Sequence, residues 1–293
     1  MPPAVDLAVL GGSGFYEMPG LVDVAEVAID TPFGPPSDSI RVGTLEGRRV
    51  AFLARHGRHH SLLPSELPQR ANFWALKSLG VARVLAVSAV GSLREDYRPR
   101  DFVVPDQLID RTTGRRPVTL YGDGVVAHIG MGDPFCPALR RLAVDAGRAS
   151  DAVTHDGGAY VVIEGPAFGT RAESELYRAW GASVVGMTAL PEAKLAREAE
   201  LCYAVVATVT DYDSWHTGHG DVDAATVFGV LRENVRHGQE AVRSLVGMLG
   251  LAGACSCGTT LDAALVTAPA AISDEARARL GPILARRLNG GGE

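Results

Sequence analysis

Two aspartates, Asp211 and Asp213, follow an apolar run that begins at Val205 and reads VVATVT before the first acid. An apolar, β-branched run of this length predicts a buried strand, and ligands in open α/β sheets bind just beyond the carboxyl ends of such strands. Two close carboxyl groups there could supply a proton to a substrate, because burial and mutual repulsion both favour the neutral acid. An aspartate at a strand end can also form a turn or cap the next helix, so the spacing alone leaves both interpretations open.

A cationic cluster follows a second predicted strand, Arg49–Leu53. Residues 55–60 read RHGRHH, so five of the six side chains are cationic or titratable. Arginine holds phosphate through two parallel hydrogen bonds, and a purely solvated charge run would not usually follow a buried strand. A metal bound by His56, His59 and His60 is the alternative, although no acidic or cysteine ligand is interleaved. We therefore favour an anion site at this strand end.

Small residues and hydroxyl groups follow two further predicted strands. Ala4–Leu10 runs into GGSG at residues 11–14, and Val81–Val90 ends in a SAVGS segment that starts at Ser88. Such small residues let backbone N–H groups surround an anion. The glycine run matches neither the dinucleotide nor the P-loop fingerprint, because Glu17 stands where a third glycine would be and no lysine follows. With the cationic cluster, three strand ends carry candidate phosphate ligands.

The elements that must position these residues alternate along the chain. Strands followed by helical segments predict a single α/β domain over residues 1–249, with a mixed central sheet flanked by helices. The predicted helices are Ser65–Ser78, Pro137–Arg148, Thr170–Trp180, Ala193–Glu200 and Asp223–Leu249, and further strands are predicted at Asp101–Leu108, Ala159–Glu164 and Ser183–Met187. From Gly250 the composition turns to Ala, Gly and Thr, so residues 250–293 are expected to form a flexible C-terminal extension with a short helix over Asp274–Leu288.

Composition limits the function classes. The chain has 293 residues and a formal net charge of -6, which argues against general nucleic-acid binding while allowing a local basic pocket for a small anion. It has no basic n-region of a signal peptide and no apolar stretch of membrane-spanning length, so neither secretion nor membrane insertion is expected. The four cysteines are scattered, and the C-x-C pair Cys255 and Cys257 lacks the partner ligands of a zinc site. We expect a reduced, cytoplasmic protein without a metal site.

Seven motifs together resemble one family, the trimeric 5'-methylthioadenosine phosphorylases. The motifs are GGSG at Gly11, TPFG at Thr31, ARHGR at Ala54, GSLRE at Gly91, EGPAF at Glu164, MTALPE at Met187 and TDYD at Thr210. The resemblance runs from about residue 5 to about residue 248 and leaves out the last forty or so residues. It implies a nucleoside phosphorylase fold, a homotrimer, and cleavage of an N-glycosidic bond by inorganic phosphate as co-substrate, without a metal or organic cofactor.

The resemblance also implies roles for individual residues. It assigns the phosphate pocket to Ser13, Arg55, His56, Ser88 and Thr188, with backbone from Ala89. It places Met187 against the ribose, Phe168 against the purine, and Asp211 and Asp213 at the base edge. His128 is implied to reach the 5' end of the substrate from a neighbouring subunit.

The two carboxyl groups predict which purine is bound. A protonated Asp211 at N7 would act as general acid for the leaving purine, and a carboxylate at Asp213 would accept a hydrogen bond from a 6-amino group. A 6-oxopurine would place an acceptor there and leave a buried pair unmatched. Family members that act on 6-oxopurines usually carry Asn at the position of Asp211, so we expect an adenosine-type substrate. The alternatives are a 6-oxopurine phosphorylase on the same fold and a non-catalytic nucleotide-binding protein.

Departures from the family pattern concern the phosphate and the sugar. Ser13 and Ser88 replace a frequent Thr, which preserves the hydroxyl groups, and Gly186 stands where Asn is common. Phe228 replaces a Leu that lines the 5' pocket in relatives, with Ala224 and Val227 close by on the same predicted helix. Methylthioadenosine is therefore the first expectation, and a 5'-deoxy or 5'-halogenated adenosine is the alternative.

Overall fold

Eleven strands in the described part of the chain form one mixed sheet. The computed structural model describes residues 4–12, 14–15, 17–217 and 224–289. The strands are β1 (Leu7–Gly11), β2 (Val22–Val27), β3 (Ile40–Leu45), β4 (Arg48–Ala54), β5 (Arg83–Ser92), β6 (Phe102–Val104), β7 (Gln107–Arg111), β8 (Thr154–Asp156), β9 (Ala159–Ile163), β10 (Ala182–Gly186) and β11 (Cys202–Asp211). Strands β4, β1, β5 and β11 are parallel neighbours in that order, so their carboxyl ends meet at one edge.

Helices cover both faces of this sheet, which confirms the predicted α/β class. They are α1 (Gln69–Ser78), α2 (Pro137–Ala149), α3 (Arg171–Ala179), α4 (Ala189–Glu198), α5 (Ala224–Met248), α6 (Leu261–Ala264) and α7 (Asp274–Asn289). Helix α1 begins later than predicted, because Pro68 disfavours helical geometry at the residue before it. None of the helices in the described ranges is long and apolar enough to cross a membrane.

One predicted strand, Asp101–Leu108, is two strands in the structure. Strand β6 pairs with β11 and β8, whereas β7 pairs with β9. Pro105 separates them, and its missing N–H cannot contribute to a ladder. The continuous apolar pattern therefore did not reveal that the chain changes partners here.

Alternate residues of the buried strands face opposite helical layers. In β11, Tyr203 and Val205 pack in the cluster that contains residues of α1, α4 and α7, whereas Ala204 and Val206 pack with α2 and α5. Successive side chains of a strand point to opposite faces, so a strand that is covered on both faces needs apolar residues at every position. The layers are thus helix, sheet and helix, and they fix the strands whose ends carry the candidate site.

Strand β5 changes its partner along one edge. Residues Val84–Ala86 pair in parallel with β1, whereas Gly91 and Ser92 pair antiparallel with β10. Between these pairings, Val87–Val90 have no strand partner on that edge among the residues that the structure describes. Diverging strands open a crevice at the edge of an α/β sheet, so this stretch of β5 faces a cavity.

The C-terminal segment packs on the core, which differs from the flexible extension expected from its composition. Leu261, Leu280 and Leu284 are buried in the cluster that also contains residues of α1 and α4. The Trp74 indole N–H donates to the Arg279 carbonyl at 3.0 Å. The Ala-rich background obscured the fact that the few large apolar residues of α7 recur at helical spacing and fill the face of α1.

The four cysteines meet at the end of β11 opposite to Asp211. Cys202 begins β11, Cys136 precedes α2, and Cys255 and Cys257 lie in the C-terminal segment. Their four Sγ atoms all lie within 4.8 Å of one another. The prediction that the C-x-C pair lacks partner ligands was wrong, because the fold brings together thiols that are far apart in the sequence.

Candidate active site

A cavity of about 340 Å³ lies where β1, β4, β5 and β11 end. Most of the residues predicted for the site line it, namely Arg55, His56, Ser88, Ala89, Phe168, Met187, Thr188, Asp211, Asp213, Val227 and Phe228. Ser13 falls outside the described residues, and the side chain of Ala224 is not described either. His128 does not line the cavity of its own chain. The fold therefore places the predicted anion ligands and the two carboxyl groups in one cavity.

Arg55 is the buried cation at one end of this cavity. Its side chain is 2% exposed and forms an ion pair with Glu192, whose side chain is 0% exposed. The guanidinium also donates to Glu192 Oε2 and to the Val87 carbonyl, each at 3.3 Å, and to the Leu10 carbonyl at 3.2 Å. Glu192 accepts in addition from the Tyr203 hydroxyl at 2.7 Å. Burial alone would lower the pKa of Arg55, but the Glu192 carboxylate raises it, so the charge is kept and held in place.

Three hydroxyl groups lie close together beside Arg55. The hydroxyls of Ser88 and Tyr160 are buried without a hydrogen-bond partner among the described residues. Burial raises the pKa of Tyr160, and the nearby hydroxyl groups of Thr188 and Ser88 oppose that shift. Thr188 precedes α4 without using its side chain to cap the helix. Unpaired buried donors cost about 1–3 kcal/mol each, so an oxyanion at this corner would relieve that cost.

Tyr160 also explains why position 186 is a glycine in this chain. A Cβ at position 186 would lie 2.9 Å from the tyrosine ring carbon that bears the hydroxyl. A side chain at that position would therefore overlap the ring. Sequence reasoning missed Tyr160, because it reads only as an apolar position inside strand β9.

His56 is held as a neutral imidazole. Its Nδ1 atom lies 2.8 Å from the Leu62 carbonyl, and a carbonyl can only accept, so Nδ1 carries the hydrogen. Burial, together with the charge of Arg55, lowers the pKa of His56 to about 4. The Nε2 lone pair is thus available to accept a hydrogen bond from a protonated phosphate oxygen. Among the described residues, His56, His59 and His60 do not converge on a metal-binding group.

Asp211 and Asp213 stand at the other end of the cavity. The Asp211 carboxyl accepts from the Thr210 hydroxyl at 2.7 Å and from the Asp213 backbone N–H at 2.9 Å. The second hydrogen bond closes a local turn. Asp211 therefore also has the turn-forming role that its position at a strand end allows. Strand β5 approaches at Gly91, where a Cβ would lie 3.0 Å from Asp211 Oδ1. Glycine is needed there for the two strands to bring the carboxyl groups together.

Burial raises the pKa of both carboxyl groups. Burial raises the pKa of Asp211, against hydrogen bonds from Thr210 and Asp213 that lower it. Burial, with repulsion from Asp211, raises the pKa of Asp213 to about 6 although Ser174 opposes the shift. The Asp213 Oδ2 atom is buried and has no hydrogen-bond partner in the part of the chain that the structure describes. This end can therefore donate a proton and accept one further hydrogen bond.

Arg116, which sequence reasoning missed, supports the segments that carry Met187 and Phe168. It is buried and donates to the carbonyls of Met187 at 2.6 Å and Leu190 at 2.8 Å. It also pairs with Glu164 at 2.8 Å, and this contact accounts for the acid of the EGPAF motif. Partial burial would raise the pKa of Glu164, but the hydrogen bonds from Arg116 and Thr113 lower it. One guanidinium thus joins the ends of β9 and β10.

Replacing Arg116 by lysine should loosen this junction. A lysine keeps the charge but has a single donor nitrogen, so it cannot replace both Nη1, which donates to the two carbonyls, and Nε, which donates to Glu164. We expect Arg116→Lys to raise the KM for the substrate of this cavity by roughly 3- to 10-fold and to lower the free energy of unfolding by about 1–2 kcal/mol. Steady-state kinetics and urea unfolding measure the two effects. The neighbouring exposed Arg115 offers the control Arg115→Lys, and equal behaviour of the two variants would contradict the supporting role.

Apolar residues of α5 close a third side of the cavity. Val227 and Phe228 line it, and Phe228 keeps 42% of its surface exposed. The Phe228 ring meets the edge of His60 with 5.7 Å between ring centroids. His60, which was not predicted as a site residue in its own right, also stacks on His56 at 4.5 Å. This side offers apolar and aromatic contact rather than hydrogen bonds.

His128 lies on the exposed surface beside the C-terminal segment. Its backbone N–H donates to the Ala264 carbonyl at 2.8 Å. Two residues earlier, the Val126 N–H donates to the Thr267 hydroxyl at 2.8 Å, and the Val126 carbonyl accepts from Val266 at 2.9 Å. The loop that presents His128 is therefore held by residues 264–267.

The chain is similar over nearly its whole length to known proteins of one kind. The model of the phosphorylase superfamily matches residues 6–247. The S-methyl-5'-thioadenosine phosphorylase of Gloeobacter violaceus is 52% identical over 289 residues, covering 97% of this chain and 96% of the relative. The enzyme of that name from Chloroflexus aurantiacus is 53% identical, covering 96% and 97%. This coverage extends past residue 248, where the resemblance based on motifs ended. The C-terminal segment is therefore also similar to these relatives.

Solved structures agree in fold. A methylthioadenosine phosphorylase from an antarctic soil metagenomic library superposes with a TM-score of 0.92 at 46% identity, covering 96% of this chain and 99% of that one. Methylthioadenosine phosphorylase from Schistosoma mansoni, solved in complex with adenine, gives a TM-score of 0.79 at 38% identity, covering 84% and 92%.

Proposed function

The chain belongs to the phosphorylase superfamily, and we propose that it cleaves 5'-methylthioadenosine with inorganic phosphate to give adenine and 5-methylthioribose 1-phosphate. It is a pentosyltransferase of the purine nucleoside phosphorylase type. The observation that carries this function is a single cavity with a buried Arg55 and the unpaired Ser88 hydroxyl at one end and two carboxyl groups of raised pKa at the other.

At the anion end, Arg55, His56, Ser88 and Thr188 hold phosphate, with backbone from Ala89. We also assign Ser13 to this group from the family resemblance. The phosphate attacks C1' as the purine departs, through a transition state with positive charge on the sugar. Phosphate is then nucleophile and counter-charge together, so the reaction as proposed needs no metal and no organic cofactor. Met187 packs against the ribose and Phe168 against the purine.

At the base end, the purine leaves poorly as an anion. Asp211 gives its proton to N7, so the C1'–N9 bond breaks to release neutral adenine. Asp213 has a pKa of about 6 and is mainly ionised at neutral pH, so its unpaired Oδ2 accepts from the 6-amino group. Closing the cavity with a purine removes more water from Asp211, which favours its neutral acid further.

The direct test is release of adenine as a function of phosphate. Purified protein with methylthioadenosine should release adenine only when phosphate is present, and 5-methylthioribose 1-phosphate should appear in equal amount. Release of adenine without phosphate would identify a hydrolase, and binding without release would identify a non-catalytic nucleotide binder. Faster cleavage of 5'-methylthioinosine than of methylthioadenosine would favour a 6-oxopurine phosphorylase.

The aromatic ring of Phe228 should select the 5' substituent. A thioether gains about 0.3–1.5 kcal/mol from contact with an aromatic ring. We expect Phe228→Leu to lower the ratio of kcat/KM for methylthioadenosine to that for 5'-deoxyadenosine by roughly 3- to 10-fold. A series of 5'-substituted adenosines measures the preference, with Phe33→Leu as a control outside the cavity. If the wild type prefers a 5'-deoxy or 5'-halogenated adenosine, that substrate replaces methylthioadenosine.

The raised pKa of Asp213 should appear in the pH profile. Its proton is bound below about pH 6, so the charge that attracts the 6-amino group is lost as the pH falls through 6. We expect the KM for methylthioadenosine to rise by about 10-fold between pH 7 and pH 5 at saturating phosphate, since a charge-assisted hydrogen bond becomes a neutral one. The Asp213→Asn variant removes this titration but not that of phosphate. A profile that is identical in wild type and variant would exclude Asp213 as its source.

We further propose that the protein is a homotrimer in which His128 of one subunit reaches the 5' end of the substrate in the next. Its exposed position outside the cavity of its own chain supports this arrangement. Light scattering measures the mass, and mixing His128→Ala with an Asp211→Asn variant should restore part of the activity if one site uses both chains. The function fits a cytoplasmic enzyme of purine and methionine salvage.

A further inference from the structure

We propose that Cys136, Cys202, Cys255 and Cys257 bind one zinc ion as a structural site remote from the catalytic cavity. The four Sγ atoms lie within 4.8 Å of one another, and Cys202 and Cys255 are 3.4 Å apart. Tetrahedral zinc with four thiolates, each about 2.3 Å from the metal, separates the sulfur atoms by about 3.8 Å. The observed positions are within about 1 Å of that arrangement, so rotation of the side chains suffices to complete it.

The chemistry of the four ligands also favours a metal ion. Zinc binds cysteine as the thiolate, and a divalent cation stabilises all four thiolates at once. Four sulfur ligands favour zinc over oxygen-seeking ions such as magnesium or calcium.

The protein context is that of a closed structural site. Cys136 and Cys257 are buried, whereas Cys255 is exposed, which leaves an entry path for the metal. Cys136 is anchored at the start of α2 by its backbone N–H, which donates to the Tyr203 carbonyl at 2.8 Å. Four protein ligands leave no open position, so the site has no place for a substrate.

The site lies far from the cavity. Cys202 begins β11 and Asp211 ends it, and a strand of this length spans about 30 Å. Metal chemistry at the cysteines therefore does not enter the proposed phosphorolysis.

A zinc ion at this site would join the C-terminal segment to the sheet and its helical layer. Cys255 and Cys257 belong to that segment, while Cys136 and Cys202 belong to the sheet and its helical layer. A few residues after Cys257, residues 264–267 form the hydrogen bonds that hold the loop with His128. Zinc would thus fix the segment on which this loop depends.

Metal analysis of the full-length protein, purified with a mild reductant, tests the proposal. We expect one zinc per chain, four thiols that react with a mercurial reagent, and release of the zinc as they react. Replacement by cobalt should give the sulfur-to-metal charge-transfer band and the intense visible bands of tetrahedral thiolate coordination. Metal-free protein with four reactive thiols would overturn the proposal, and so would metal-free protein whose thiols are paired in disulfides.

Variants at the exposed ligand keep the test independent of folding. Cys255→Ser should reduce zinc affinity at least 100-fold and lower Tm by roughly 5–10 °C in the presence of zinc. Ser256→Ala, which lies between the two C-terminal ligands, is the matched control and should keep both zinc and Tm. Equal zinc affinity of the Cys255→Ser variant and the wild type, measured by competition with a chelator, would exclude this cysteine as a ligand and overturn the four-thiolate site.

Discussion

Asp211→Asn is expected to lower kcat/KM for methylthioadenosine by about 10²- to 10³-fold. The asparagine amide keeps a donor toward N7 but has no proton to give up, so adenine would have to leave as an anion. A 6-oxopurine depends less on that proton, because its oxygen carries part of the leaving charge. The ratio of methylthioinosine to methylthioadenosine cleavage should therefore rise.

The rates of both substrates should be compared in the wild type, in Asp211→Asn and in a control variant. Asp145 lies on the exposed face of α2, so Asp145→Asn makes the same chemical change away from the cavity. It should leave both rates unchanged. An unchanged substrate ratio in Asp211→Asn would remove Asp211 from the role of acid and leave it as a turn-forming residue.

Glu192→Ala should cost about 3–5 kcal/mol of unfolding free energy in phosphate-free buffer. The substitution leaves the Arg55 charge buried without its counter-ion, since Glu192 supplies the carboxylate of this fully buried pair. Phosphate in the cavity can take over part of that role. We therefore expect the deficit to shrink as the phosphate concentration rises.

Urea unfolding with and without phosphate measures this deficit. The control is Glu175→Ala, which breaks an ion pair with Arg178 whose side chains are 57% and 31% exposed. Exposed pairs contribute about 0–1 kcal/mol, so this variant should be nearly neutral and insensitive to phosphate. A Glu192→Ala deficit as small as that of the control would show that Arg55 does not depend on Glu192.

Site residues could be predicted from the sequence where a charged residue directly follows an apolar run that forms a strand. Arg55 and Asp211 directly follow apolar runs, and parallel strands bring such positions to a common edge. Glu192 could not be assigned in this way, because its partner Arg55 is 137 residues away and a helix acid reads as a surface residue. Arg116 and Tyr160 were missed for the same reason: their roles depend on which segments pack together, and no local pattern encodes that choice.

The fold was predictable to a similar degree. Periodicity located most helices and strands, since burial on both faces imposes a clear pattern on them. It did not show the partner change at Pro105, nor the convergence of the cysteines. Both features depend on which segments pack together in the folded protein, and the hydrophobic pattern of the sequence does not show that.

The overlap between Tyr160 and any side chain at Gly186 constrains how this pocket can evolve. A step from glycine to asparagine at position 186 is blocked while the tyrosine ring is present, since the added Cβ would have no room. The ring must shrink first, and that intermediate would lose a hydroxyl beside Ser88 before the amide arrives to replace it. The residues at positions 160 and 186 of this chain are therefore coupled, and a side chain at position 186 fits this fold only together with a smaller residue at position 160.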